Sequence, residues 1–308
     1  MTKTVYVIDS KQYIESNCFQ HQLFESVLLV AQEASIDLEV LDLAQALNKN
    51  YNNVNVVSVL KQRTIDKHCI ALSKAFKDSS FIVYDQDPWQ AYMDDSPYKG
   101  SYDRIASSLR DCTFAITSPY WVDLVNSRGH KATFTKMSVL PRYCGTNKTF
   151  LSRNISVGFV GTMHPRRQQM VKDLQNIGVT VKSNNVSNLS YNNFLQSLED
   201  IQIFIHNEEM PIYIDGVINN FKHGMWVKDI EAAAKGCYSI RCSGLGSSEY
   251  FDNVETVKLY DSLEEVPDII NHILKLNSEA RQQQIQRSIE HIKQENAWYK
   301  SAKILLGV

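Results

Sequence analysis

The sequence predicts an α/β fold in which two parallel sheets are each covered by helices on both faces. The chain has 308 residues, enough for about two domains. Short apolar runs, such as 4–8, 80–84 and 155–160, alternate with segments whose apolar residues recur at helical spacing. Strands that are continuous apolar runs are typical of sheets buried on both faces, and the alternation itself favours parallel strands. Because the pattern starts again near residue 155, we expect two Rossmann-like domains.

The first half of the sequence contains five predicted strands and four predicted helices. Apolar residues recur at helical spacing from 20 to 34, and Pro119 and Gly129 favour the first turn and the end of another helix. The strands are expected at 4–8, 55–60, 80–84, 113–117 and 133–140, and the helices at 20–34, 65–76, 102–109 and 119–128.

The second half repeats this alternation. Pro165 favours the start of a helix that Gly178 ends, Ser190 is a suitable N-cap, and Gly236 ends a further helix. The strands are expected at 155–160, 179–182, 201–205, 237–241 and 257–260, and the helices at 165–177, 190–198, 227–235, 263–276, 279–296 and 298–306. The roughly twenty residues after 206 show no such pattern, and an irregular loop of that length is usually functional or mobile.

A polar segment near 143–153, without helical or strand periodicity, separates the two halves. We therefore predict an N-terminal domain over 1–145 and a C-terminal domain over 154–296. The tail, 297–308, is predicted to form a helix that packs back on the N-terminal domain.

Composition narrows the class of protein. Thirty-two basic and thirty-four acidic residues give a net charge of −2, which argues against a generally basic nucleic-acid binder. No apolar run is long enough to span a bilayer, and the first residues lack the features of a signal peptide. The six cysteines are scattered without zinc spacing. We expect reduced thiols, a cytoplasmic location and no transmembrane segment.

Ligands bind outside the carboxyl ends of the strands in open parallel sheets, and four of these ends carry polar clusters. The first follows strand 155–160, where Gly161 and Thr162 precede a helix and Arg166 or Arg167 lies in its first turn. A helix N-terminus, a glycine and an arginine together suit a phosphate group. An ordinary strand-to-helix turn with solvated arginines is the alternative.

The second cluster lies at the start of helix 227–235. Lys228 and Glu231 are three residues apart and share one helix face. The carboxylate suits the two hydroxyls of a ribose and the lysine suits a diphosphate, whereas the alternative is a surface ion pair.

The third cluster is His206-Asn207 at the end of strand 201–205, where the alternative is a structural histidine.

The fourth cluster, Asp85, Asp87 and Trp89, ends a strand of the N-terminal half. Carboxylates beside an indole are typical of sugar sites, since the carboxylates bind hydroxyls or take a proton and the ring packs on the sugar face. A capped strand end with Trp89 in the core is the alternative. Asp94 and Asp95 raise the question of a divalent cation, but adjacent carboxylates point apart on an extended chain, so we predict no metal site.

The order of these clusters resembles the two-domain (GT-B) glycosyltransferases, specifically their CgeB-like branch in the family 1/4 group. The resemblance covers roughly 155–300. The matching elements are, in order, Val-Gly-Phe-Val-Gly-Thr at 157–162 with Arg166 after it, a Tyr191-centred helix before His206-Asn207, Lys-Asp-Ile-Glu-Ala-Ala-Ala-Lys-Gly at 228–236, and Ser-Gly-Leu-Gly-Ser-Ser-Glu-Tyr-Phe at 243–251.

The resemblance implies two Rossmann-like domains facing across a cleft, with the donor nucleotide on the C-terminal one. It implies that Glu231 binds the donor's ribose, that Arg166 and Lys228 hold its diphosphate, and that the turn containing Gly244 faces the nucleotide or sugar. The sequence departs from the family pattern at His223, where a paired carboxylate is usual, and at Lys228, where arginine is more frequent.

We therefore expect a hexosyl- or pentosyltransferase that moves a sugar from a nucleotide-diphosphate sugar to an acceptor hydroxyl, without a metal or other cofactor. Asp85 or Asp87 is expected to position or deprotonate that hydroxyl. The acceptor (a glycan, a small molecule or DNA), the stereochemical outcome and the oligomeric state stay open.

Other functions remain alternatives at this stage. They are a non-catalytic nucleotide- or sugar-binding module, an epimerase or phosphorylase on the same plan, and a DNA-modifying sugar transferase. The DNA alternative rests on a basic stretch formed by Lys131, Lys136, Arg142, Lys148 and Arg153.

Overall fold

The computed structural model describes residues 3–10, 19–185, 190–206, 209–221, 227–244 and 246–308. The chain divides into two compact units. Unit 1 comprises Met1–Met137, Pro211–Gly224 and Trp298–Val308, and unit 2 comprises Ser138–Met210 and Met225–Ala297. The division therefore precedes the predicted end of the N-terminal domain at 145. In addition, a segment that follows the third strand of unit 2 belongs to unit 1.

The first part of the chain forms a βα alternation with two short extra strands. Its elements are β1 (Thr4–Ile8), α1 (Phe19–Glu33), β2 (Leu38–Asp42), α2 (Leu43–Leu47), β3 (Tyr51–Asn52), β4 (Asn55–Val59), α3 (Gln62–Ala75), β5 (Phe76–Lys77), β6 (Ser80–Asp85), the 3-10 turn Pro88–Ala91, α4 (Ser101–Ser108), β7 (Cys112–Ile116), α5 (Pro119–Ser127) and β8 (Lys131–Phe134).

Six of these strands form the parallel sheet of unit 1 in the order β2-β1-β4-β6-β7-β8. β1 is buried along its whole length because it lies inside the sheet and helices cover both of its faces.

The rest of the chain repeats the alternation. Its elements are the 3-10 turns Pro141–Tyr143 and Phe150–Ser152, β9 (Ile155–Gly161), α6 (Pro165–Asn176), β10 (Lys182–Asn185), α7 (Tyr191–Glu199), β11 (Ile201–His206), β12 (Glu209–Ile214), β13 (Val217–Phe221), α8 (Val227–Ala234), β14 (Tyr238–Cys242), α9 (Ser247–Phe251), β15 (Val257–Tyr260), the 3-10 turn Leu263–Glu265, α10 (Val266–Lys275), α11 (Ser278–Glu295) and α12 (Ala297–Leu306).

Unit 2 contains a five-stranded parallel sheet in the order β10-β9-β11-β14-β15. Its core is made of apolar side chains from these strands and the helices that cover them, including Phe159, Phe204 and Ile240. Together with the sheet of unit 1, it confirms the predicted fold class of two Rossmann-like domains.

The C-terminal helix α12 belongs, from Trp298 onward, to unit 1. Trp298 is fully buried, and the Ser301 hydroxyl donates a hydrogen bond to the Lys136 carbonyl at 2.8 Å.

Three strands of the two parallel sheets differ from the sequence prediction, and the two-residue strands β3 and β5 were not predicted either. β2 was not predicted, because only one of its residues is fully buried and its apolar pattern is correspondingly weak. The strand predicted at 133–140 ends at Phe134; the residues after it are largely buried, but they extend beyond the ladder with β7. The strand predicted at 179–182 begins at Lys182, since Val179 and Val181 contribute to the core from the loop before it.

The largest difference lies in the segment predicted to be an irregular loop. β12 and β13 form a hairpin whose turn, Asp215-Gly216, has positive φ at both residues, +51° and +75°. Such a turn matches the twist of paired strands, and Asp-Gly between apolar runs is a strong hairpin signal that the loop prediction overlooked.

Asp94 anchors this hairpin within unit 1. Its carboxylate accepts the backbone N–H groups of Asp215 and Gly216 at 3.1 and 2.8 Å, and its own N–H donates to the Tyr213 carbonyl at 2.8 Å. Arg128 also pairs with the Asp215 carboxylate.

Among the described residues, the cysteines at 69, 112, 144, 237 and 242 form no disulfide bond, and Cys18 lies outside the described residues. Over the described ranges, no helix combines the length and apolar character that a membrane crossing requires.

We predict that Asp94→Ala loosens the tip of the hairpin, because two backbone N–H groups lose their carboxylate acceptor. Amide hydrogen exchange at 213–216 should become faster than in the wild type. Asp95→Ala is the matched control, since it removes the neighbouring, exposed carboxylate. Equal exchange rates in the two variants would contradict the anchoring role of Asp94.

Candidate functional site

The strand order of unit 2 identifies where a ligand is expected to bind. β9 lies between β10 and β11, so the chain leaves β9 towards one edge of the sheet and later returns to its other side. Ligands of open parallel sheets bind at the carboxyl ends of the two strands that flank such a reversal. These ends are Gly161 on β9 and His206 on β11, two of the residues singled out in the sequence.

Gly161 leaves the space that the Lys228 side chain occupies. A Cβ atom at this position would lie 2.5 Å from Lys228 Nζ and 3.0 Å from Phe159 Cζ, and the glycine has a φ of +154°. The structure thus brings together two residues that were selected from different sequence clusters.

Two aromatic rings lie near the Lys228 ammonium group. Lys228 Nζ lies 5.6 Å from the centroid of the Phe159 ring and 6.0 Å from that of Phe194 on α7. The Arg167 guanidinium is 5.1 Å from the Phe159 centroid. Lys228 and Arg167 are therefore both within cation–π distance of the same ring.

The two arginines at the start of α6 have different surroundings. Arg167 is buried and donates a hydrogen bond from Nη1 to the Thr162 carbonyl at 2.8 Å. Arg166, the arginine chosen from the sequence, is exposed, as is Thr162. Consecutive residues of a helix point about 100° apart, so only Arg167 packs inward, beside Phe159.

Glu231 lies on α8 three residues after Lys228 and is only 3% exposed. Burial raises its pKa to about 7, whereas a hydrogen bond from the Tyr191 hydroxyl and the charge of Lys228 act in the opposite direction. Carboxyl groups poised near neutrality are common at functional sites.

Asp229, between these two residues, is fully buried and ties α8 to the sheet. Its carboxylate accepts hydrogen bonds from Arg241 Nη1 at 3.0 Å and from the Ser239 hydroxyl at 2.9 Å, and it lies 3.1 Å from His206 Nδ1. Burial alone would raise the pKa of Asp229, but Arg241, His206 and the Ser239 hydroxyl outweigh it and lower the pKa. Since an ionised carboxylate only accepts, His206 donates from Nδ1.

His206 therefore has a structural partner at the end of β11. Asn207 and His223, the other two polar residues selected near this strand end and in the segment after it, lie outside the described residues.

The turn after β14 satisfies much of its own hydrogen bonding. The Gly244 N–H donates to the Ser247 hydroxyl at 3.0 Å, and that hydroxyl donates to the Gly244 carbonyl at 2.7 Å. Gly244 is partly buried, and its polar backbone groups already have partners within the turn.

Unit 1 has its own cavity, of about 280 Å³, at the corresponding reversal of its sheet. There β1 lies between β2 and β4. The last residues of β1 and β4, Ile8 and Val59, line the cavity. Asp85 and Asp87 line it as well, so two of the carboxylates predicted from sequence face one space.

Asp85 is 8% exposed and accepts hydrogen bonds from the Tyr102 hydroxyl and the Asp87 N–H, each at 2.8 Å. Burial raises the pKa of Asp85 to about 6, and the charge of Asp87 contributes to the rise. The Trp89 indole N–H donates to Asp87 Oδ1 at 3.0 Å, which fixes the half-buried ring beside that carboxylate.

The structure gives partners for residues considered for a cation site and for a basic surface. Among the described residues, no group of three metal-ligating side chains is present, and the Asp94 carboxylate is occupied by the hairpin. Within the basic stretch, Arg153 is buried at 3% exposure and donates to the Ile201 carbonyl at 2.9 Å, while Lys148 pairs with Asp200.

The sequence reasoning did not single out Asp229, Arg241 or Phe159, and it named Tyr191 only as the centre of a helix, without a role. Arg241 could have been found from the sequence, because it is the last residue of the strand predicted at 237–241 and the search covered such ends. Asp229 lies within the sequence cluster around Lys228, but its partners come from distant strands, and spacing along one helix does not reveal them.

No protein-family model and no curated protein matches the sequence. Solved structures do match in fold. A complex of Anabaena HepE with UDP and glucose is 10% identical, with a TM-score of 0.66 over 100% of this chain and 99% of that one. The trehalose-6-phosphate synthase OtsA is 9% identical, with a TM-score of 0.53 over 82% and 71%. AviGT4, a glycosyltransferase of avilamycin A biosynthesis, is 11% identical, with a TM-score of 0.52 over 99% of both chains.

These likenesses show that the chain has the fold of the GT-B glycosyltransferases, as the resemblance implied. The CgeB-like branch stays a prediction.

We predict that Asp229→Ala lowers the free energy of unfolding by about 3–5 kcal/mol at pH 7, because it removes one partner of the buried ion pair with Arg241. Ser239→Ala, which removes one neutral hydrogen bond to the same carboxylate, should cost about 1 kcal/mol. Urea denaturation monitored by circular dichroism measures both values.

The pH dependence follows from the lowered pKa of Asp229. Its contribution to stability is complete above the unfolded pKa, about 4, and is lost as the pH falls through the folded value. The difference in the free energy of unfolding between the wild type and Asp229→Ala should therefore become smaller in acid. A gap no larger than that of Ser239→Ala at pH 7 would refute the role of the buried charge.

Proposed function

We propose that the protein is a glycosyltransferase that moves a sugar from a nucleotide-diphosphate sugar, held by unit 2, to an acceptor hydroxyl held by unit 1. The observation that carries the proposal is the meeting of Lys228 with Gly161 at the switch point of unit 2, with buried Glu231 on the same helix. The fold agrees with it, since HepE, which has the same fold, was solved in complex with UDP-glucose.

The diphosphate of the donor is expected to lie beside Gly161. The N–H groups at the start of α6 and the Lys228 ammonium offer positive charge there, and exposed Arg166 is available to a bound anion. Arg167 supports this site by packing on Phe159 and holding the Thr162 carbonyl. These cations stabilise the negative charge of the leaving nucleoside diphosphate, a role that we propose requires no metal.

The ribose is expected to bind through Glu231. An ionised carboxylate accepts hydrogen bonds from two neighbouring hydroxyls, and the nearby Lys228 charge and Tyr191 hydroxyl favour the ionised form. His206 and Gly244 are proposed to face the nucleotide or sugar, with His206 fixed by Asp229. Asn207 stays a sequence-based prediction.

The acceptor is expected in the cavity of unit 1. Asp85 with a pKa of about 6 is largely ionised at neutral pH and accepts the hydroxyl proton or a hydrogen bond from it. The bond between the sugar C1 and the phosphate oxygen breaks, its electrons stay on the nucleoside diphosphate, and C1 forms a new bond to the acceptor oxygen. Asp87, which lines the cavity, accepts the indole N–H of Trp89, whereas Trp89 itself is not among the lining residues, so its packing on the acceptor stays a sequence-based prediction.

We take UDP-glucose as the first donor to test, because HepE binds it. We predict that Lys228→Ala weakens UDP-glucose binding about 10- to 100-fold, since it removes a charge-assisted contact to the diphosphate. Glu231→Gln should weaken it about tenfold through the ribose. Isothermal titration calorimetry measures both affinities.

Lys172→Ala is the matched control, because it removes the same charge from an exposed position on α6. Wild-type affinity in Lys228→Ala and Glu231→Gln would overturn the donor site. Binding without release of UDP, with every acceptor offered, would instead favour the non-catalytic module.

The pKa of Asp85 predicts the pH dependence of sugar transfer. Because only the ionised carboxylate accepts the hydroxyl hydrogen, transfer at saturating donor should fall as the pH drops below about 6 and level off above it. Asp85→Asn should remove this dependence and leave the affinity for UDP-glucose unchanged. The asparagine oxygen can accept the Asp87 N–H, and its NH2 group can donate to the Tyr102 hydroxyl oxygen, so the fold is expected to persist.

The size of the loss in Asp85→Asn separates two roles. A general base is worth about 10²- to 10⁴-fold in rate, whereas a residue that only orients the hydroxyl is worth about tenfold. Wild-type transfer by Asp85→Asn, together with loss in Asp87→Asn, would assign the role to Asp87.

A further inference from the structure

The cavity of unit 1 contains a buried polar side chain with an unused acceptor atom. Gln62, the first residue of α3, is 9% exposed and lines the cavity. Its Nε2 donates a hydrogen bond to the Ser101 hydroxyl at 3.2 Å, whereas its Oε1 is buried without a hydrogen-bond partner. An unsatisfied buried acceptor costs free energy, so a ligand that donates a hydrogen bond to it gains affinity.

The first two residues of α4 form hydrogen bonds with Gln62 and Asp85. Ser101 accepts from Gln62, and the next residue, Tyr102, donates its hydroxyl to Asp85 at 2.8 Å. The Tyr102 ring is itself fixed, since it stacks on Phe114 with centroids 3.9 Å apart and planes 1° from parallel. Two acceptor groups that line one cavity are therefore held by adjacent residues of a buried helix start.

The charges around the cavity disfavour an anionic ligand at this point. The Asp9 carboxylate already accepts the Lys61 N–H at 2.9 Å, just before α3 begins. With Asp85 and Asp87, three carboxylates line the cavity, whereas Lys61 and Arg63 on its wall are exposed. A phosphate beside Gln62 would meet negative charge, but a hydroxyl group would find acceptors that need its hydrogen.

We propose that Gln62 is an acceptor-binding residue, and that its Oε1 selects a neutral, hydroxyl-bearing sugar unit by accepting a hydrogen bond from one of its hydroxyls. This inference deepens the proposed function and rests on it for the meaning of the cavity. The volume of about 280 Å³ suits a ligand the size of a monosaccharide or a little larger.

The test uses the full chain and a fixed panel of probes. The panel consists of the methyl glycosides of glucose, galactose and mannose, together with glucose 6-phosphate and glucuronic acid, and saturation-transfer NMR measures their binding. At least one neutral glycoside should bind the wild type more tightly than either anion. Gln62→Met, which keeps the volume and removes both the oxygen and the NH2 group that binds Ser101, should weaken that binding about tenfold.

Two further variants identify the cause of the loss. Ser101→Ala frees the Gln62 amide to turn and should weaken the same glycoside severalfold, with the melting temperature checked in each variant. Gln90→Met is the matched control, because Gln90 lines the cavity but is partly exposed; it should change the affinity by no more than about twofold.

Three results would overturn the inference: no neutral glycoside of the panel binds, an anionic probe binds more tightly, or a folded Gln62→Met binds as the wild type does. The proposed function fails separately, when UDP-glucose binding does not depend on Lys228 and Glu231. Wild-type UDP-glucose affinity in Gln62→Met shows that the donor site is intact.

Discussion

The arrangement of the candidate donor site depends on one buried charge. Asp229 is fully buried on α8, and its carboxylate contacts Arg241 and Ser239 on β14 and His206 on β11. A charge in this position is tolerated only with such partners. The contacts fix the helix against two strands at their carboxyl ends, and the residues on either side of Asp229, Lys228 and Glu231, are positioned with it.

The second constraint is topological and applies to both units. Each sheet places its first strand between the second and the third, and open parallel sheets form a crevice at the carboxyl ends of the strands at such a reversal. In unit 2 this crevice receives Gly161, Lys228 and His206, and in unit 1 it forms the cavity with Asp85. The two units thus offer one cationic and one carboxylate-lined site from the same strand order.

The sequence was sufficient to predict the fold class and most elements, because continuous apolar strands and capped helices are local signals. The search of strand ends likewise selected Gly161, His206, Lys228 and Asp85. It left Arg166 and Arg167 open, and the family resemblance implied Arg166, because only packing against Phe159 decides which of two adjacent arginines turns inward. The hairpin had a local signal, Asp215-Gly216, but Asp94, which holds it, is far away in sequence.

Three buried carboxyl groups have different pKa shifts because their neighbours differ, and this difference indicates which is structural and which can bind a ligand. Asp229 has an arginine and a histidine against it, so its pKa is lowered and it stays ionised as a structural charge. Burial raises the pKa of Glu231 to about 7 and that of Asp85 to about 6.

Neither Glu231 nor Asp85 is held ionised as strongly as Asp229. A bound hydroxyl can therefore still shift the equilibrium between the protonated and the ionised form of each carboxyl group. A hydroxyl that donates a hydrogen bond stabilises the ionised form, and the energy of that contact then contributes to binding or to proton transfer. A buried carboxyl group already neutralised by arginine has less to gain from a hydroxyl. This difference is the physical reason to place ligands at Glu231 and Asp85 and to assign Asp229 to the scaffold.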